Sequence, residues 1–256
     1  MATPRVLIFS GYGLNCEDET KVAFDYAGAR ADVMHIEDVA KDPKQLAKYQ
    51  IAVFPGGFSY GDDTGSGKAY GARVRHHLGD ELEKFLSRDT LMAGICNGFQ
   101  ILTASGLLPG ALIANDSARF SCRWVDMEVV GDTPWLAGLE SLSAPIAHGE
   151  GKYFDTEENL DRLEAAGQVA LRYVSGPSCL YQDLPGNPNG ALRDIAGITA
   201  RDGRVIGLMP HPERGSWFEQ RPDWTVLREA YEKNGLPLPV EAEGIEVFKN
   251  AVKYFA

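Results

Sequence analysis

Residues 91–100 read Leu-Met-Ala-Gly-Ile-Cys-Asn-Gly-Phe-Gln, an apolar run that ends in a cysteine between two glycines. The pattern predicts a strand, a tight turn at Cys96 and the start of a helix. Such a turn needs small neighbours, because its strained backbone leaves no room for a Cβ two positions away. Gly94 and Gly98 meet that need. The free N–H groups of the following helix favour a thiolate, so Cys96 is a candidate nucleophile.

A nucleophilic cysteine requires a base, whereas a free cysteine that only packs in the core does not. Of the five histidines, only His211 directly follows a predicted buried strand, at 204–209, and prolines on both sides stiffen the chain there. Glu213 lies two residues further on, which in extended geometry is the same side. A carboxylate beside an imidazole fixes its tautomer and stabilises its cation. We therefore predict a Cys96–His211–Glu213 triad.

Acyl transfer also needs hydrogen-bond donors for the developing oxyanion. The predicted strand at 50–54 runs into Pro-Gly-Gly at 55–57, and paired glycines let main-chain N–H groups face a ligand at close range. We expect the N–H groups of Gly57 and of Asn97, the residue after the nucleophile, to form the oxyanion hole. A Gly-Gly pair by itself indicates only a turn. This pair is stronger evidence for an oxyanion hole because it follows a strand of the same sheet.

The order of predicted elements favours an α/β fold. The predicted strands are 5–9, 31–36, 50–54 and 91–95, and the predicted helices are 17–27, 74–86 and 98–105. This alternation is typical of a doubly wound, mostly parallel sheet with helices on both faces, whose functional residues share one sheet edge. After residue 110 the pattern becomes strand-rich, with a hairpin at 195–199 and 205–209 and helices near 223–233 and 244–254. No linker divides the chain, so we expect a single domain over residues 1–256.

Composition limits the classes of function. The 256 residues are 44% hydrophobic, which is enough for one well-buried domain. The net charge of −11, with no basic run, argues against nucleic acid or an anionic membrane as the main partner. There is no apolar stretch of membrane or signal-peptide type, and the four cysteines have no paired or metal-like spacing. We expect a cytoplasmic protein, with neither a metal nor a cofactor in this chain.

Six segments carry a family resemblance. They are SGYGLNCE (10–17), PGGFSYGDD (55–63), GICNGFQ (94–100), LLPG (107–110), AHGEG (147–151) and MPHPER (209–214). Together they resemble the triad class of glutamine amidotransferases, and within it the glutaminase subunits of phosphoribosylformylglycinamidine synthase. The cysteine turn and His-Pro-Glu are typical of the class. Gly-Gly-Phe-Ser-Tyr-Gly-Asp and His-Gly-Glu-Gly are typical of these subunits.

The resemblance implies a flavodoxin-like fold and hydrolysis of glutamine to glutamate and ammonia through a cysteine thioester. It implies that the ammonia passes to a separate ATP-dependent synthetase, which makes formylglycinamidine ribonucleotide in de novo purine biosynthesis. By the same resemblance, Gln100 and the loop of His148, Gly149 and Glu150 line the glutamine pocket. ATP and Mg²⁺ are expected on the synthetase, and the sequence leaves open whether a small third subunit bridges the two.

Docking of the synthetase suggests a place for regulation. We expect the isolated chain to be a poor glutaminase, because uncoupled hydrolysis would waste glutamine. The expected relay is the segment 57–61, where a peptide flip at a glycine can present or withdraw an oxyanion donor. The acidic, glycine-rich stretch 62–70 follows it and is expected at the docking rim.

Two other classes stay open on the residues alone. The first is another cysteine hydrolase, a peptidase or γ-glutamyl hydrolase, which would release no ammonia from free glutamine. The second is a non-catalytic thiol sensor or assembly subunit, in which His211 and Glu213 would be dispensable. An ammonia-release assay, with and without a synthetase, separates all three classes.

Overall fold

The computed structural model describes residues 3–62, 65–180 and 183–256, and these ranges hold a nine-stranded sheet and a smaller two-stranded one. The strands are β1 (Arg5–Ser10), β2 (Arg30–His35), β3 (Ile51–Phe54), β4 (Leu91–Ile95), β5 (Ala111–Ile113), β6 (Ser121–Val129), β7 (Ser141–His148), β8 (Lys152–Phe154), β9 (Val169–Val174), β10 (Ile195–Ala200) and β11 (Val205–Leu208). The helices are α1 (Glu17–Tyr26), α2 (Ile36–Lys41), α3 (Lys68–Leu86), α4 (Asn97–Ser105), α5 (Glu157–Ala165), α6 (Pro177–Leu180), α7 (Trp224–Lys233) and α8 (Gly244–Lys253). The large sheet has the order β2-β1-β3-β4-β11-β10-β9-β6-β7.

Five neighbouring strands, from β2 to β11, run parallel. Every residue of β3, β4 and β11 is buried, as expected for strands whose two faces are both covered by helices. Parallel strands bring their carboxyl ends to one edge of the sheet, where open α/β folds bind ligands. This edge receives the loops that begin at Pro55, Cys96 and Met209.

The remaining pairings of the large sheet are antiparallel, and they join β11 to β10, β10 to β9, β9 to β6 and β6 to β7. The β10–β11 pair is the predicted hairpin. A separate antiparallel pair is formed by β5 and β8. The strand-rich second half of the sequence therefore extends a parallel α/β sheet on one side, and the predicted α/β fold class is confirmed.

Helices pack on the sheet in two groups. Helix α1 contacts β1, β2 and α8, and Phe24 of α1 meets Phe248 of α8 edge to face with ring centroids 5.0 Å apart. Helix α4 contacts β3, β4 and α3. Across the described ranges, no helix combines the length and the apolar character that spanning a bilayer requires.

The helices differ from the sequence-based assignment in the start of α3 and in three helices, α2, α5 and α6, that were not predicted. Helix α3 begins at Lys68 instead of residue 74, because packing against α4 outweighs the low helix propensity of Gly71. A Cβ on Gly71 would lie 2.7 Å from the Cβ of Ala104, so the glycine allows the two helices to approach. The sequence analysis does not predict α5, although Thr156 caps it by accepting from the N–H of Asn159 at 3.3 Å.

Candidate active site

Cys96 occupies the turn between β4 and α4, with φ 51° and ψ −106°. A non-glycine residue is strained at this positive φ, and such strain persists only where the surroundings enforce it. Here the Cys96 N–H donates to Leu208 O at 2.8 Å. A Cβ on Gly98 would lie 1.8 Å from Phe54 O, and one on Gly94 would lie 2.6 Å from Gly98 O. The predicted need for small residues at both positions is confirmed by these contacts.

His211 lies beside Glu213 after β11, and both side chains are buried. His211 Nδ1 is 2.6 Å from Glu213 Oε1. A turn of 3₁₀ helix at Pro212–Arg214 brings the carboxylate round to the imidazole, whereas the sequence analysis assumes extended geometry at this point. The assumed backbone is wrong because Pro212 favours the first position of a helical turn. The contact that the sequence analysis predicts is nevertheless formed.

The protonation of His211 is set by its buried neighbours. Burial lowers the pKa of His211, but the Glu213 carboxylate and the thiols of Cys96 and Cys16 raise it, and the pKa lies well above its ordinary value. His211 Nε2 is buried and has no hydrogen-bond partner among the described residues. A buried nitrogen without a partner is costly unless it serves a reacting group. Nε2 is therefore the ring nitrogen that remains free for a reacting group, and in the predicted triad that group is Cys96.

A cavity of about 30 Å³ brings the predicted nucleophile and base together. Cys96 and His211 both line it. The other lining residues are Asn15, Cys16, Gly57, Phe58, Ala147 and Arg214. Small-molecule sites usually measure roughly 300–1,000 Å³. The cavity is therefore too small for an amino acid.

The first predicted oxyanion donor, Gly57, lies where the loop after β3 runs alongside the loop after β1. Phe58 N donates to Gly13 O at 2.8 Å, and Asn15 N donates to Gly56 O at 3.0 Å. These two bonds flank Gly57 in an antiparallel bridge, so its own N–H takes part in neither and points away from the neighbouring loop. A Cβ on Gly57 would lie 2.5 Å from Gly13 O, so this close pairing requires glycine.

The second predicted donor, the Asn97 N–H, is at the start of α4. The first N–H groups of a helix have no acceptor within it. The buried Asn97 side chain accepts from the N–H of Ser59 through Oδ1 at 3.1 Å. This bond ties the loop after β3, which carries Gly57, to the helix that follows the nucleophile.

Gln100 is the next member of this hydrogen-bonded chain. Its Oε1 accepts from Asn97 Nδ2 at 2.6 Å, and its Nε2 donates to Glu150 O at 2.6 Å. The Glu150 carboxylate in turn accepts from the N–H of Ser66 at 2.9 Å. None of Gln100, Glu150 and Gly149 is among the residues that line the cavity described above. Their predicted part in the glutamine pocket stays a prediction.

His148 is buried between two asparagines. Its Nδ1 is 3.1 Å from Asn115 Oδ1, and its Nε2 is 3.5 Å from Asn189 Nδ2. Asn115 also accepts from the N–H of Gly151 at 3.0 Å and so holds the loop after β7. Burial lowers the pKa of His148 to about 4, and the nearby positive charge of His211 adds to the effect. The sequence analysis does not single out Asn115 or Asn189, because single asparagines in loops give no distinctive local signal.

Cys16 is a further residue that the sequence did not assign to the site. It precedes α1, and its Sγ lies 4.0 Å from His211 Nδ1. Burial raises the pKa of its thiol, although contact with His211 opposes this. Cys16, His211 and Glu213 form a group of possible metal donors whose ligand atoms all lie within 4.8 Å of one another. The only sequence signal for Cys16 is its place in the segment 10–17.

The loop after β3 continues through strained residues towards the expected docking rim. Tyr60 has φ 55° and Asp62 has φ 59°. Tyr60 stacks on Tyr12 of the neighbouring loop with ring centroids 5.0 Å apart. Asp63, which belongs to the acidic stretch expected at the rim, lies outside the described residues, as does residue 64.

Comparisons with known proteins show the family of the chain. The CobB/CobQ-like glutamine amidotransferase domain matches residues 3–255. The phosphoribosylformylglycinamidine synthase subunit PurQ of Methanococcus maripaludis (strain C7) is 43% identical over 98% of this chain and 97% of its own length. The PurQ subunit of Dehalococcoides mccartyi is 38% identical over 99% and 98% of the two chains.

Solved structures give the same result. A chain of the PurLQS structure from Thermotoga maritima is 30% identical to this chain, with a TM-score of 0.75. The match covers 100% of both chains. A glutamine amidotransferase from Thermotoga maritima has a TM-score of 0.52 at 15% identity. The match covers 99% of this chain and 92% of the amidotransferase chain. At that identity the second likeness shows the fold alone.

Proposed function

The chain belongs to the CobB/CobQ-like glutamine amidotransferase family, and from this membership we propose that it is the glutaminase subunit of a phosphoribosylformylglycinamidine synthase. It hydrolyses glutamine and passes ammonia to a partner synthetase in purine biosynthesis. Its full-length likeness to PurQ subunits supports this assignment. We further propose that residues 1–256 work as one amidotransferase domain in the cytoplasm.

The proposed reaction begins with the Cys96 thiolate, which attacks the carboxamide carbon of glutamine. The negative charge on the carboxamide oxygen is stabilised by the N–H groups of Gly57 and Asn97. His211 Nε2 gives its proton to the amide nitrogen, the carbon–nitrogen bond breaks, and ammonia leaves. The γ-glutamyl thioester remains on Cys96. His211 then takes a proton from a water molecule, whose oxygen displaces the sulfur and releases glutamate.

The observation that carries this proposal is the shared cavity of Cys96 and His211, with Glu213 Oε1 at 2.6 Å from the imidazole. A nucleophile, a base and an orienting carboxylate in this arrangement perform acyl transfer on unrelated folds. The role of Glu213 is to hold the proton of His211 on Nδ1 and to stabilise the imidazolium. A thiol sensor would need neither function.

The product explains the need for a partner. Ammonia in neutral water is mostly ammonium, which has no lone pair for attack, so it has to reach the second active site without mixing with solvent. We propose that the synthetase binds ATP and Mg²⁺ and docks over the carboxyl edge of the parallel strands. In the opened pocket, Gln100, His148, Gly149 and Glu150 would surround glutamine, which the bond from Gln100 to the loop after β7 supports.

The deciding experiment measures ammonia release from glutamine by the purified chain, alone and with its synthetase, ATP and formylglycinamide ribonucleotide. We expect weak hydrolysis alone and strong hydrolysis in the complete mixture, because the 30 Å³ cavity has to open before glutamine can enter. Equal turnover in both states would contradict activation by docking and leave the cysteine chemistry in place. No ammonia under any condition, together with cleavage of peptides or γ-glutamyl amides, would favour another hydrolase.

A further inference from the structure

Cys16 has no part in the glutamine chemistry proposed above, yet its sulfur lies next to the catalytic histidine. The residue is 1% exposed. Its contacts are weak: Sγ is 3.4 Å from Asn15 Oδ1 and 4.0 Å from His211 Nδ1. Glu213 Oε2, the second oxygen of the carboxylate whose Oε1 contacts His211 Nδ1, is also buried and has no partner among the described residues. The Cys16 sulfur and this carboxylate oxygen are therefore strong ligand atoms of the cluster without strong bonds of their own.

The three side chains offer a thiolate, an imidazole and a carboxylate, which is a donor set that suits zinc. Calcium and magnesium prefer oxygen ligands alone, whereas Zn²⁺ readily takes sulfur, nitrogen and oxygen together. We propose that Cys16, His211 and Glu213 form a binding site for Zn²⁺ and that the metal inhibits the enzyme when it binds there.

The distances are close to those that the metal needs. Zinc bonds of about 2.0–2.3 Å in a tetrahedron place neighbouring donors about 3–4 Å apart. The separation of Cys16 Sγ and His211 Nδ1, 4.0 Å, requires little movement. The 2.6 Å between His211 Nδ1 and Glu213 Oε1 widens when the proton between them leaves. The cavity beside Cys16 and His211, about 30 Å³, has room for a water molecule as fourth ligand.

The surrounding chain leaves space at this point because residue 56 is glycine. A Cβ on Gly56 would lie 2.9 Å from Cys16 Sγ and 2.5 Å from His211 Cε1. The side chains of Cys16 and His211 can therefore shift towards a common ion without meeting a neighbouring side chain from the loop after β3.

Binding conserves charge in the buried cluster. Before binding, the thiol of Cys16 is neutral, the imidazolium carries one positive charge and the Glu213 carboxylate one negative charge. Zn²⁺ replaces the thiol proton and the Nδ1 proton, both of which pass to solvent. Because two single charges leave and one double charge enters, no unpaired charge is buried. His211 Nε2 keeps its proton and can no longer accept one, so the zinc-bound form lacks a base.

The test of binding uses the Cys96→Ser chain, so that the nucleophile cannot ligate the metal. Cobalt(II) chloride is titrated as a spectroscopic substitute for zinc, and the thiolate-to-cobalt absorption in the near ultraviolet is recorded. We expect saturation at one equivalent in Cys96→Ser and loss of the band in Cys16→Ser/Cys96→Ser. The matched control is Cys179→Ser/Cys96→Ser, which removes a buried cysteine elsewhere and keeps the band. A band that survives without Cys16, or no band in Cys96→Ser, overturns the proposal.

If Cys16→Ser does not fold, a second variant still tests the proposal. Glu213→Gln in the Cys96→Ser background keeps the sulfur but removes the carboxylate. We expect cobalt to bind at least about 100-fold more weakly, since even partners behind the ligands contribute 10–100-fold, and the band should return at high cobalt concentration. Unchanged affinity would contradict the site.

Inhibition is measured on the wild-type chain in its complex with the synthetase. Zn²⁺ should abolish glutamine-dependent synthesis over the concentration range in which it binds, and spare ammonia-dependent synthesis. Only this inhibition rests on the proposed function, because metal binding does not require glutaminase activity. If Cys96→Ser shows the cobalt band but the wild-type complex never hydrolyses glutamine, the function is refuted and the site stands. If the wild-type complex hydrolyses glutamine and Zn²⁺ leaves that activity unchanged, the function stands and the proposed inhibition is refuted.

Discussion

The parallel and antiparallel halves of the large sheet position their functional residues by different means. In the parallel half, Cys96 directly follows β4, and Gly57 and His211 come three residues after the ends of β3 and β11. In the antiparallel half, Asn189 supports His148 from 41 residues away along the chain. Strand ends fix the reacting groups locally, whereas the polar groups behind them depend on long-range contacts. The comparison predicts steep losses of activity in the first half and smaller effects in the second.

The largest effect is expected at Cys96. Cys96→Ser should lower glutamine-dependent activity by about 10⁶-fold, the scale seen when a covalent nucleophile is removed. Ammonia-dependent synthesis by the complex should be unchanged, because that reaction occurs on the synthetase. A glutamine-like diazo-ketone should add one label, at Cys96, and Cys179→Ser is the control. Labelling of Cys16 or Cys122 would contradict the assignment.

The next effect separates the base from the group that orients it. His211→Ala should lose nearly all turnover of glutamine, by about 10⁶-fold, whereas Glu213→Ala should lose only about 10⁴-fold, because water can replace a carboxylate that only positions an imidazole. The losses of the double variant should not multiply, since the residues act as one unit. Steady-state rates of ammonia release in the complex test this order. Full activity in Glu213→Ala would reduce the triad to a dyad.

A smaller loss is expected at the oxyanion hole. Gly57→Ala should lower kcat by about 10²–10³-fold, the usual effect of losing one oxyanion donor. The added Cβ would lie 2.5 Å from Leu14 Cα and from Gly13 O, so the main chain has to move. Gly79→Ala, on α3, is the matched control because a Cβ there meets nothing within 4 Å. If the Gly57 variant raised KM alone, this residue would bind glutamine and not its transition state.

The same contrast explains how much the sequence reveals. Cys96 and His211 could be predicted because each stands in a distinctive local pattern at a strand end, and the apolar runs of the parallel strands predicted the fold. The 3₁₀ turn that carries Glu213 was harder to foresee, because Pro212 permits more than one backbone.

Other residues have no local pattern to reveal them. Asn115 is an ordinary loop residue until β7 brings His148 beside it, and the second thiol, Cys16, reaches His211 only through folding. Gln100 could be connected with the loop after β7 only through family resemblance, and the bond from its Nε2 to Glu150 O is a product of tertiary packing. Long-range polar contacts of this kind cannot be inferred from periodicity.

The smallest effect is expected in the antiparallel half, in the pH dependence of stability at His148. Its pKa falls from 6.5 to about 4 on folding, chiefly through burial. Below pH 6.5 His148 is therefore mostly protonated in the unfolded chain, whereas in the native chain it becomes protonated only near pH 4. Above pH 6.5 His148 is neutral in both states and does not lower the free energy of unfolding. As the pH falls from 6.5 towards 4, the free energy of unfolding declines, by about 2–3 kcal/mol at about pH 4.5.

His148→Gln should remove this slope. Urea unfolding of the parent and the variant at several pH values between 6.5 and 4.5 measures the difference, in which the carboxylates common to both chains cancel. His211, whose pKa is raised in the native state, is present in both chains, so its contribution to the pH dependence cancels in the same difference. The exposed His76→Gln is the control and should follow the parent. If parent and His148→Gln lose stability in parallel, His148 is already charged in the native state, and the asparagines around it stabilise a cation.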